Sequence, residues 1–268
     1  MSILDEIFVH KRSEVENRRL KFPIDEIKEQ ALQTIPAVDF CAALRRTGDD
    51  ENFPALIAEV KHRSPSRGIL APDFDPVGLA RIYAENGAAA ISVLTDKYYF
   101  GGHLDYLKMI SEESLGVPLL RKDFIFDPYQ VYEARMAGAD AILLIAAALG
   151  AEQLCSLNRL AIELGMTALI EVHDQEELQL ALTCEPSLIG INNRNLHDFS
   201  VNLDVTLRLR SYIPQDVMLV SESGIRSQND LERLVAAGIN AVLIGEALVT
   251  SQNIAASVRG YSRGRLAV

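Results

Sequence analysis

The sequence predicts an α/β fold, a (β/α)8 TIM barrel with an N-terminal helical extension, and three observations support this prediction. First, eight short apolar runs alternate with helical patterns from Phe53 onward, and such alternation is typical of right-handed βαβ units and a parallel sheet. Second, Gly87, Gly138 and Gly238 each end a helical pattern just before an apolar run, where a left-handed turn suits glycine. Third, eight such units favour a closed barrel. An open doubly wound sheet is disfavoured because no GxGxxG turn follows the first run.

The individual elements follow from the period of the apolar residues. Strands are expected near residues 55–60, 89–95, 118–122, 140–145, 167–172, 187–193, 217–222 and 240–245. Helices are expected at Pro76–Glu85, Pro128–Ala137, Ala151–Leu164, Gln175–Leu182, Leu203–Arg210 and Gln228–Ala236.

Residues 1–50 differ from the rest and are expected to form the helical extension, with residues 51–268 forming the barrel. Ile3, Ile7 and Val15 lie at helical spacing among many charges, and a further short helix is expected after Asp39, through Leu44. The apolar stripe predicts that the extension packs on the barrel, either as a cap over its mouth or as a brace at its side.

Composition and charge exclude several classes of partner. With 49 % apolar and 24 % charged residues the chain is expected to form a sizeable core, and its net charge of −11 argues against nucleic acid as a partner. No apolar run is long enough to cross a bilayer, so no membrane partner is expected. The first residues lack the pattern of a signal peptide, which predicts a cytoplasmic protein. Cys41, Cys155 and Cys184 are odd in number and lack the paired spacing of a zinc site, so all three are expected to be reduced packing residues.

Charged residues recur where the predicted strands end. Because the active site of a barrel lies at the carboxyl ends of its strands, these side chains are expected to meet in one mouth. They are Glu59, Lys61, Lys122, Glu171, Asn192, Arg194 and Glu222. Lysines interleaved with glutamates can pair, and a lysine acid facing a glutamate base is suited to proton transfer. A structural ion-pair network is the alternative interpretation.

Two features of the sequence indicate what kind of groups the substrate carries. Ser223-Gly224 and Gly245-Glu246 follow the seventh and eighth strands, where backbone N–H groups of a barrel commonly bind phosphate. The fourth strand ends at Leu143-Leu144-Ile145 without a polar group, which predicts an apolar wall. A phosphorylated small molecule is therefore the expected partner.

Motifs spread over nearly the whole chain closely resemble those of the indole-3-glycerol-phosphate synthase family of tryptophan biosynthesis. They are Glu59–Ser66, Leu94-Thr95, Tyr99–Gly102, Arg121–Ile125, Leu169–His173, Gly190–Leu196 and Ser221–Ile225. The resemblance implies closure of 1-(2-carboxyphenylamino)-1-deoxyribulose 5-phosphate to indole-3-glycerol phosphate, with loss of carbon dioxide and water. It implies no metal and no organic cofactor, and a chain without a fused isomerase.

The resemblance also implies roles for single residues. Lys122 would be the general acid, Glu171 the base, and Lys61, paired with Glu59, would hold the substrate carboxylate and share acid duty. Asn192 and Glu222 would orient the substrate and the lysines. The implied substrate-binding residues are Ser64 and Arg194, the phosphate turns Ser223, Gly224, Gly245 and Glu246 (the last through its backbone N–H), and the apolar wall Phe100, Phe124, Leu143 and Leu196.

Other interpretations of the same residues stay open. His62 and His173 adjoin the motifs but are expected to alternate away from the barrel interior, as structural or solvated residues. A Schiff-base aldolase with Lys122 or Lys61 as nucleophile is the nearest rival function, and a catalytically silent sugar-phosphate-binding barrel is the second. A monomer or a weak homodimer is expected.

Overall fold

A computed structural model describes residues 3–45, 53–65, 67–195 and 199–263, and in them a closed parallel barrel is present. Its strands in chain order are β1 Ala55–Val60, β2 Ala90–Leu94, β3 Leu119–Lys122, β4 Ala141–Ile145, β5 Thr167–Val172, β6 Leu188–Asn192, β7 Met218–Glu222 and β8 Ala241–Ile244. Every predicted strand is confirmed, with ends that differ by at most one residue. The barrel closes where Ala55 of β1 pairs in parallel with Ala241 of β8.

Helices surround the barrel and precede it. Those of the extension are α1 Ile3–Lys21, α2 Ile24–Gln33 and α3 Phe40–Leu44. Those of the barrel are α4 Pro76–Glu85, α5 Lys97–Phe100, α6 Leu104–Glu112, α7 Pro128–Met136, α8 Ala151–Glu163, α9 Gln175–Leu182, α10 Asp204–Arg210, α11 Gln228–Ala236, α12 Glu246–Val249 and α13 Ile254–Ser262. The sequence interpretation omitted α5, α6, α12 and α13, and also a short antiparallel pair formed by Arg63–Ser64 and Gly68–Ile69. None of the helices among the described residues is both long and apolar enough to span a bilayer.

Side-chain caps fix where the helices begin after the loops at the barrel mouth. Asp75, Asp127 and Asp174 accept hydrogen bonds from the first-turn N–H groups of α4, α7 and α9. Ser227 and Asp230 form a reciprocal capping box at α11. These caps satisfy N–H groups that have no partner within the helix, so each loop enters its helix at a defined point.

The extension runs from one end of the barrel to the other. Helix α1 lies at the mouth, where the Phe8 ring meets the ring of Phe124 edge-on at 5.8 Å. Helix α2 packs on α7 at the side, and α3 places Phe40 and Leu44 in the apolar cluster inside the barrel. The extension is therefore both a cap and a brace. The predicted boundary between residues 50 and 51 lies outside the described residues.

A buried cation joins α1 to the barrel. Lys11 is 1 % exposed, and its Nζ lies 2.8 Å from Asp96 Oδ1 and 3.0 Å from Asp123 Oδ1. The two aspartates raise the pKa of Lys11, although burial alone would lower it. Asp123 in turn lies 3.1 Å from the guanidinium of Arg121. A continuous buried ion network thus reaches from the extension to the end of β3.

The prediction that all three cysteines are reduced is wrong. Cys155 of α8 and Cys184, just after α9, form a disulfide, while Cys41 is free and half-buried. Packing of α8 against α9 brings the two Cα atoms to 4.7 Å, within the range that a disulfide requires. Their separation of 29 residues in the chain gave no sign of this pairing.

Replacing Cys155 by serine is expected to lower the free energy of unfolding by about 3 kcal/mol, since the open loop gains entropy in the unfolded chain. Urea unfolding with and without reductant measures this change, and reductant should destabilise the parent but leave Cys155→Ser unaffected. Cys41→Ser is the matched control and should unfold like the parent. Coincident curves for the oxidised and reduced parent would contradict the prediction.

Candidate active site

A cavity of about 460 Å³ opens at the carboxyl ends of the strands. Fifteen of the sixteen predicted site residues line it: Glu59, Lys61, Ser64, Phe100, Lys122, Phe124, Leu143, Glu171, Asn192, Arg194, Glu222, Ser223, Gly224, Gly245 and Glu246. The sixteenth, Leu196, lies outside the described residues. The strand ends thus bring together side chains that lie up to 187 positions apart, from Glu59 to Glu246.

Lys122 occupies the centre of the charged cluster. Its Nζ lies 3.0 Å from Glu171 Oε2 and 3.1 Å from Glu222 Oε2. Asn192 Nδ2 donates to the other oxygen of Glu171 at 3.3 Å. An ammonium group is therefore held at a fixed point in the cavity, within direct proton-transfer distance of two carboxylates.

Burial and mutual attraction set the protonation of this cluster. Burial alone would lower the pKa of Lys122, but Glu171, Glu222 and Glu59 outweigh it and raise the pKa. Burial opposes ionisation of Glu171 as well, yet Lys122 and His173 lower its pKa to about 2. For Glu222, burial and the charge of Glu171 raise the pKa to about 7 despite the attraction of Lys122. The pKa values of two carboxyl groups that share one lysine are therefore shifted in opposite directions.

The second lysine of the cavity, Lys61, directly follows β1. Lys61 Nζ is 2.9 Å from Glu59 Oε2, as expected for residues two apart that share a face. It also lies 5.6 Å from the centre of the Phe100 ring, in a cation–π position. A cation held at the aromatic side of the cavity can attract a carboxylate attached to an aromatic ring.

Two glycines leave room for the carboxylates. A Cβ atom on Gly190 would collide with Glu222 Oε1, and one on Gly245 would collide with Glu59 Oε2. Gly190 lies on β6 and Gly245 follows β8, and a side chain at either position would point toward a carboxylate of the charged cluster. The sequence indicated Gly245 as part of a phosphate-binding turn. The structure adds a second reason for glycine here, which is that it leaves space for the Glu59 carboxylate.

The apolar side of the cavity contains more than the predicted wall. The rings of Phe100 and Phe124 lie 6.1 Å apart, and Leu143 lines the same cavity. Ile145, at the predicted end of the fourth strand, lines the cavity too. Sequence reasoning missed the contribution of Ile3, Leu4 and Ile7 from α1, together with Leu94, Phe199 and Leu243. The regular apolar stripe of α1 was the signal, but which end of the barrel it covers cannot be seen in the sequence.

The opposite side carries the small residues and two further cations. Ser223 and Gly224 both have left-handed backbone angles, φ 65° and 82°, so successive N–H groups can point into one concavity. Ser64 Oγ accepts a hydrogen bond from the Arg67 N–H at 3.2 Å, and Arg67 Nε lies 3.1 Å from Glu246 Oε1. Arg67 and Arg226 line the cavity and were not predicted.

The prediction that His173 points away from the barrel interior is wrong. His173 follows Glu171 by two positions and therefore shares its face, and its Nε2 lies 3.4 Å from Glu171 Oε1. Its Nδ1 lies 2.9 Å from Glu177 Oε2. His62, by contrast, stacks on Phe74 at 4.9 Å. The alternation of strand faces was the signal that could have placed His173 correctly.

The raised pKa of Glu222 predicts a pH dependence of stability. Between the ordinary value of 4.5 and the folded value of about 7 the folded state binds more protons at Glu222 than the unfolded state does. The free energy of unfolding should therefore fall by about 3 kcal/mol as the pH rises through this window. Urea unfolding at several pH values measures it.

Glu222→Gln is the matched control for this pH dependence, because glutamine cannot titrate. The slope should become shallower rather than flat, since His173 also has a raised pKa and contributes in the same direction. Equal slopes for the parent and Glu222→Gln would show that Glu222 does not titrate in this window.

Comparisons with known proteins agree with this geometry. The family model of indole-3-glycerol phosphate synthase matches residues 4–261. Proteins of that name from Dehalococcoides mccartyi and Roseiflexus castenholzii are each 50 % identical to this chain. The first match covers 96 % of this chain and 98 % of the relative, and the second covers 99 % of each.

Solved structures of lower identity show the fold alone. The structure of 3-hexulose-6-phosphate synthase from Salmonella typhimurium superposes with a TM-score of 0.65 at 14 % identity, and covers 79 % of this chain and 98 % of its own. Thiamine phosphate pyrophosphorylase from Pyrococcus furiosus gives 0.59 at 14 % identity, with 81 % and 97 % covered. The match of the family model along nearly the whole chain, with two relatives at 50 % identity, shows that this chain belongs to the indole-3-glycerol phosphate synthase family.

Proposed function

We propose that this chain converts 1-(2-carboxyphenylamino)-1-deoxyribulose 5-phosphate to indole-3-glycerol phosphate, with Lys122 as general acid and Glu171 as base. The observation that carries the proposal is the position of Lys122 Nζ between Glu171 and Glu222, at 3.0 and 3.1 Å. The aromatic side of the cavity suits the anthranilate ring, and the turns on the other side suit the phosphate.

In the first step the ring carbon that carries the carboxylate attacks the ribulose carbonyl carbon. Lys122 donates its proton to the carbonyl oxygen as negative charge develops there. Glu222 and Glu171 hold the ammonium in place through their ion pairs. Asn192 fixes Glu171 from the other side, so the proton donor is positioned before the substrate arrives.

Lys61 and its partner Glu59 act on the substrate carboxylate. The cation beside the Phe100 ring binds and orients the carboxylate group until it leaves as neutral carbon dioxide. The apolar residues Phe124, Leu143 and, by resemblance, Leu196 enclose the ring. A water-poor wall favours the loss of charge in this step.

The final step removes water. The hydroxyl group leaves after protonation by Lys122 or Lys61, and Glu171 takes a proton from the neighbouring CH₂ group to complete the indole. Its low pKa keeps Glu171 ionised and ready to accept that proton. The backbone N–H groups of Ser223, Gly224, Gly245 and Glu246 bind the phosphate, with Ser64 and Arg194 completing the polar wall.

The proposal includes no metal and no organic cofactor, and it places the chain in the cytoplasm as a monomer or weak homodimer. It also treats residues 1–50 and 51–268 as one folded unit. The buried pairing of Lys11 with Asp96 and Asp123 supports that unity, because a buried charge that loses its partner is costly.

The test is conversion of the carboxyphenylamino substrate by purified chain, followed through indole fluorescence and release of carbon dioxide. Appearance of both in equal amounts is expected. Borohydride is added in a parallel reaction, and covalent trapping of substrate without indole formation would establish the aldolase alternative. The raised pKa of Lys122 argues against Lys122 as the nucleophile of such an aldolase, since a Schiff-base lysine must be neutral to attack.

A further inference from the structure

The proposed reaction consumes a proton from solvent in each turnover. Two protons are needed for the carbonyl oxygen to leave as water, while only one is returned when the CH₂ group loses its proton to Glu171. The carboxylate leaves as neutral carbon dioxide and supplies none. The side chains of Glu171 and Glu222 line the active-site cavity and are almost fully buried. While substrate fills this cavity, a second route would let the proton reach Lys122 from the other side of Glu171.

A line of titratable groups runs from the outside of the barrel to Lys122. Glu177 Oε2 lies 2.9 Å from His173 Nδ1, His173 Nε2 lies 3.4 Å from Glu171 Oε1, and Glu171 Oε2 lies 3.0 Å from Lys122 Nζ. The exposed fraction of the side chains falls inward, from 19 % for Glu177 to 10 % for His173 and 4 % for Glu171. Each step is short enough for a proton to pass after a small movement.

A second cavity, of about 830 Å³, gives this line access to solvent. Glu177 and His173 line it together with the exposed Asp174 and Glu176. Asn192, Arg194 and Leu4 border both this cavity and the active-site cavity. The imidazole thus lies between Glu171 and the second cavity.

We propose that His173 is a proton-relay residue, which acts through Glu171 to restore the proton of Lys122 from the second cavity. This proposal rests on the proposed function. The Nε2–H bond of the His173 imidazolium breaks as an O–H bond forms on Glu171. Glu171 then gives a proton to the neutral amine of Lys122, and the imidazole, turning about its Cβ–Cγ bond, regains one from water.

The surroundings of His173 favour its protonated form. Burial lowers its pKa, but Glu177, Glu171 and Glu222 outweigh burial and raise the pKa above its ordinary value. The other charged groups along the second cavity are Asp5 of α1, Asp174 and Glu176 near α9, Arg194 after β6 and Arg208 of α10. An imidazole between carboxylates is thus available as a donor near neutral pH.

The test separates the first turnover from the later ones. Lys122 and Lys61 already carry the two protons that the first turnover uses, so His173→Gln and His173→Ala should form the first equivalent of product at the parent's rate. Later turnovers should be slowed about tenfold, with KM changed less than about twofold. Rapid mixing with excess substrate measures this through indole fluorescence, with a pH indicator in weak buffer reporting proton uptake.

Three further measurements test the proposed relay. Added imidazole should restore the later turnovers of His173→Ala, and Glu177→Gln should slow the same turnovers several-fold. His103→Asn changes the histidine that caps α6 and lines neither of the two cavities, and it should match the parent. A first turnover slowed as much as the later ones, no rescue by imidazole, or unchanged later turnovers would each overturn the relay. Absence of product from the parent would overturn the proposed function itself.

Discussion

Lys122→Ala is expected to lower the rate of indole formation in a single turnover by about a thousandfold, the usual contribution of a positioned general acid. The substrate should still bind, because the phosphate turns follow β7 and β8, and Phe100 and Leu143 of the apolar wall lie on α5 and β4. The variant also leaves Glu171 and Glu222 without their shared cation. Indole fluorescence after rapid mixing measures the rate, and substrate titration measures binding.

Lys108→Ala is the matched control, since Lys108 is an exposed lysine of α6. It should turn over like the parent. Undiminished product from Lys122→Ala would move the acid role to Lys61. Circular dichroism of both variants checks that the loss is not one of folding.

Lys11→Ala is expected to lower the free energy of unfolding by about 4 kcal/mol, because it removes the cation buried between Asp96 and Asp123 and leaves Asp123 with Arg121 alone. Activity should fall with it. The end of α1 that carries Phe8 against Phe124 would loosen from the barrel mouth. Urea unfolding and steady-state kinetics measure the two effects.

Lys21→Ala, at the exposed end of the same helix, removes the same charge without breaking a buried pair. Its free energy of unfolding should stay within about 0.5 kcal/mol of the parent's. If Lys11→Ala and Lys21→Ala unfolded alike, the buried network would not be what holds the extension in place.

Strand positions were predictable because strands covered on both faces give continuous apolar runs. Charge therefore appears in the last positions of a strand, as at Arg121, Lys122 and Glu171. The parallel barrel then brings those ends together, so the cluster around Lys122 followed from topology. The roles of the individual side chains remain predictions that the variants above test.

Other features depend on contacts between distant segments and leave no local pattern. The Cys155–Cys184 disulfide arises from packing of α8 on α9, and the small helix α12 is only four residues long. Lys11 looked like one of many charged residues in α1, although it is among the most deeply buried side chains. His173 is different, since correct use of the strand period would have placed it beside Glu171.

The path of the extension along the whole barrel has a consequence for the order of folding during synthesis. Arg18 pairs with Glu133, and Phe40 belongs to an apolar cluster that includes Ala241 of the last strand. At ribosomal speeds Phe40 therefore waits roughly 10 to 40 seconds for its full surroundings. Closure of the barrel waits equally long, because Ala55 pairs with the same Ala241. Helix α1 can meet its partners once residue 133 is made, whereas Phe40 completes its contacts only with the last strand.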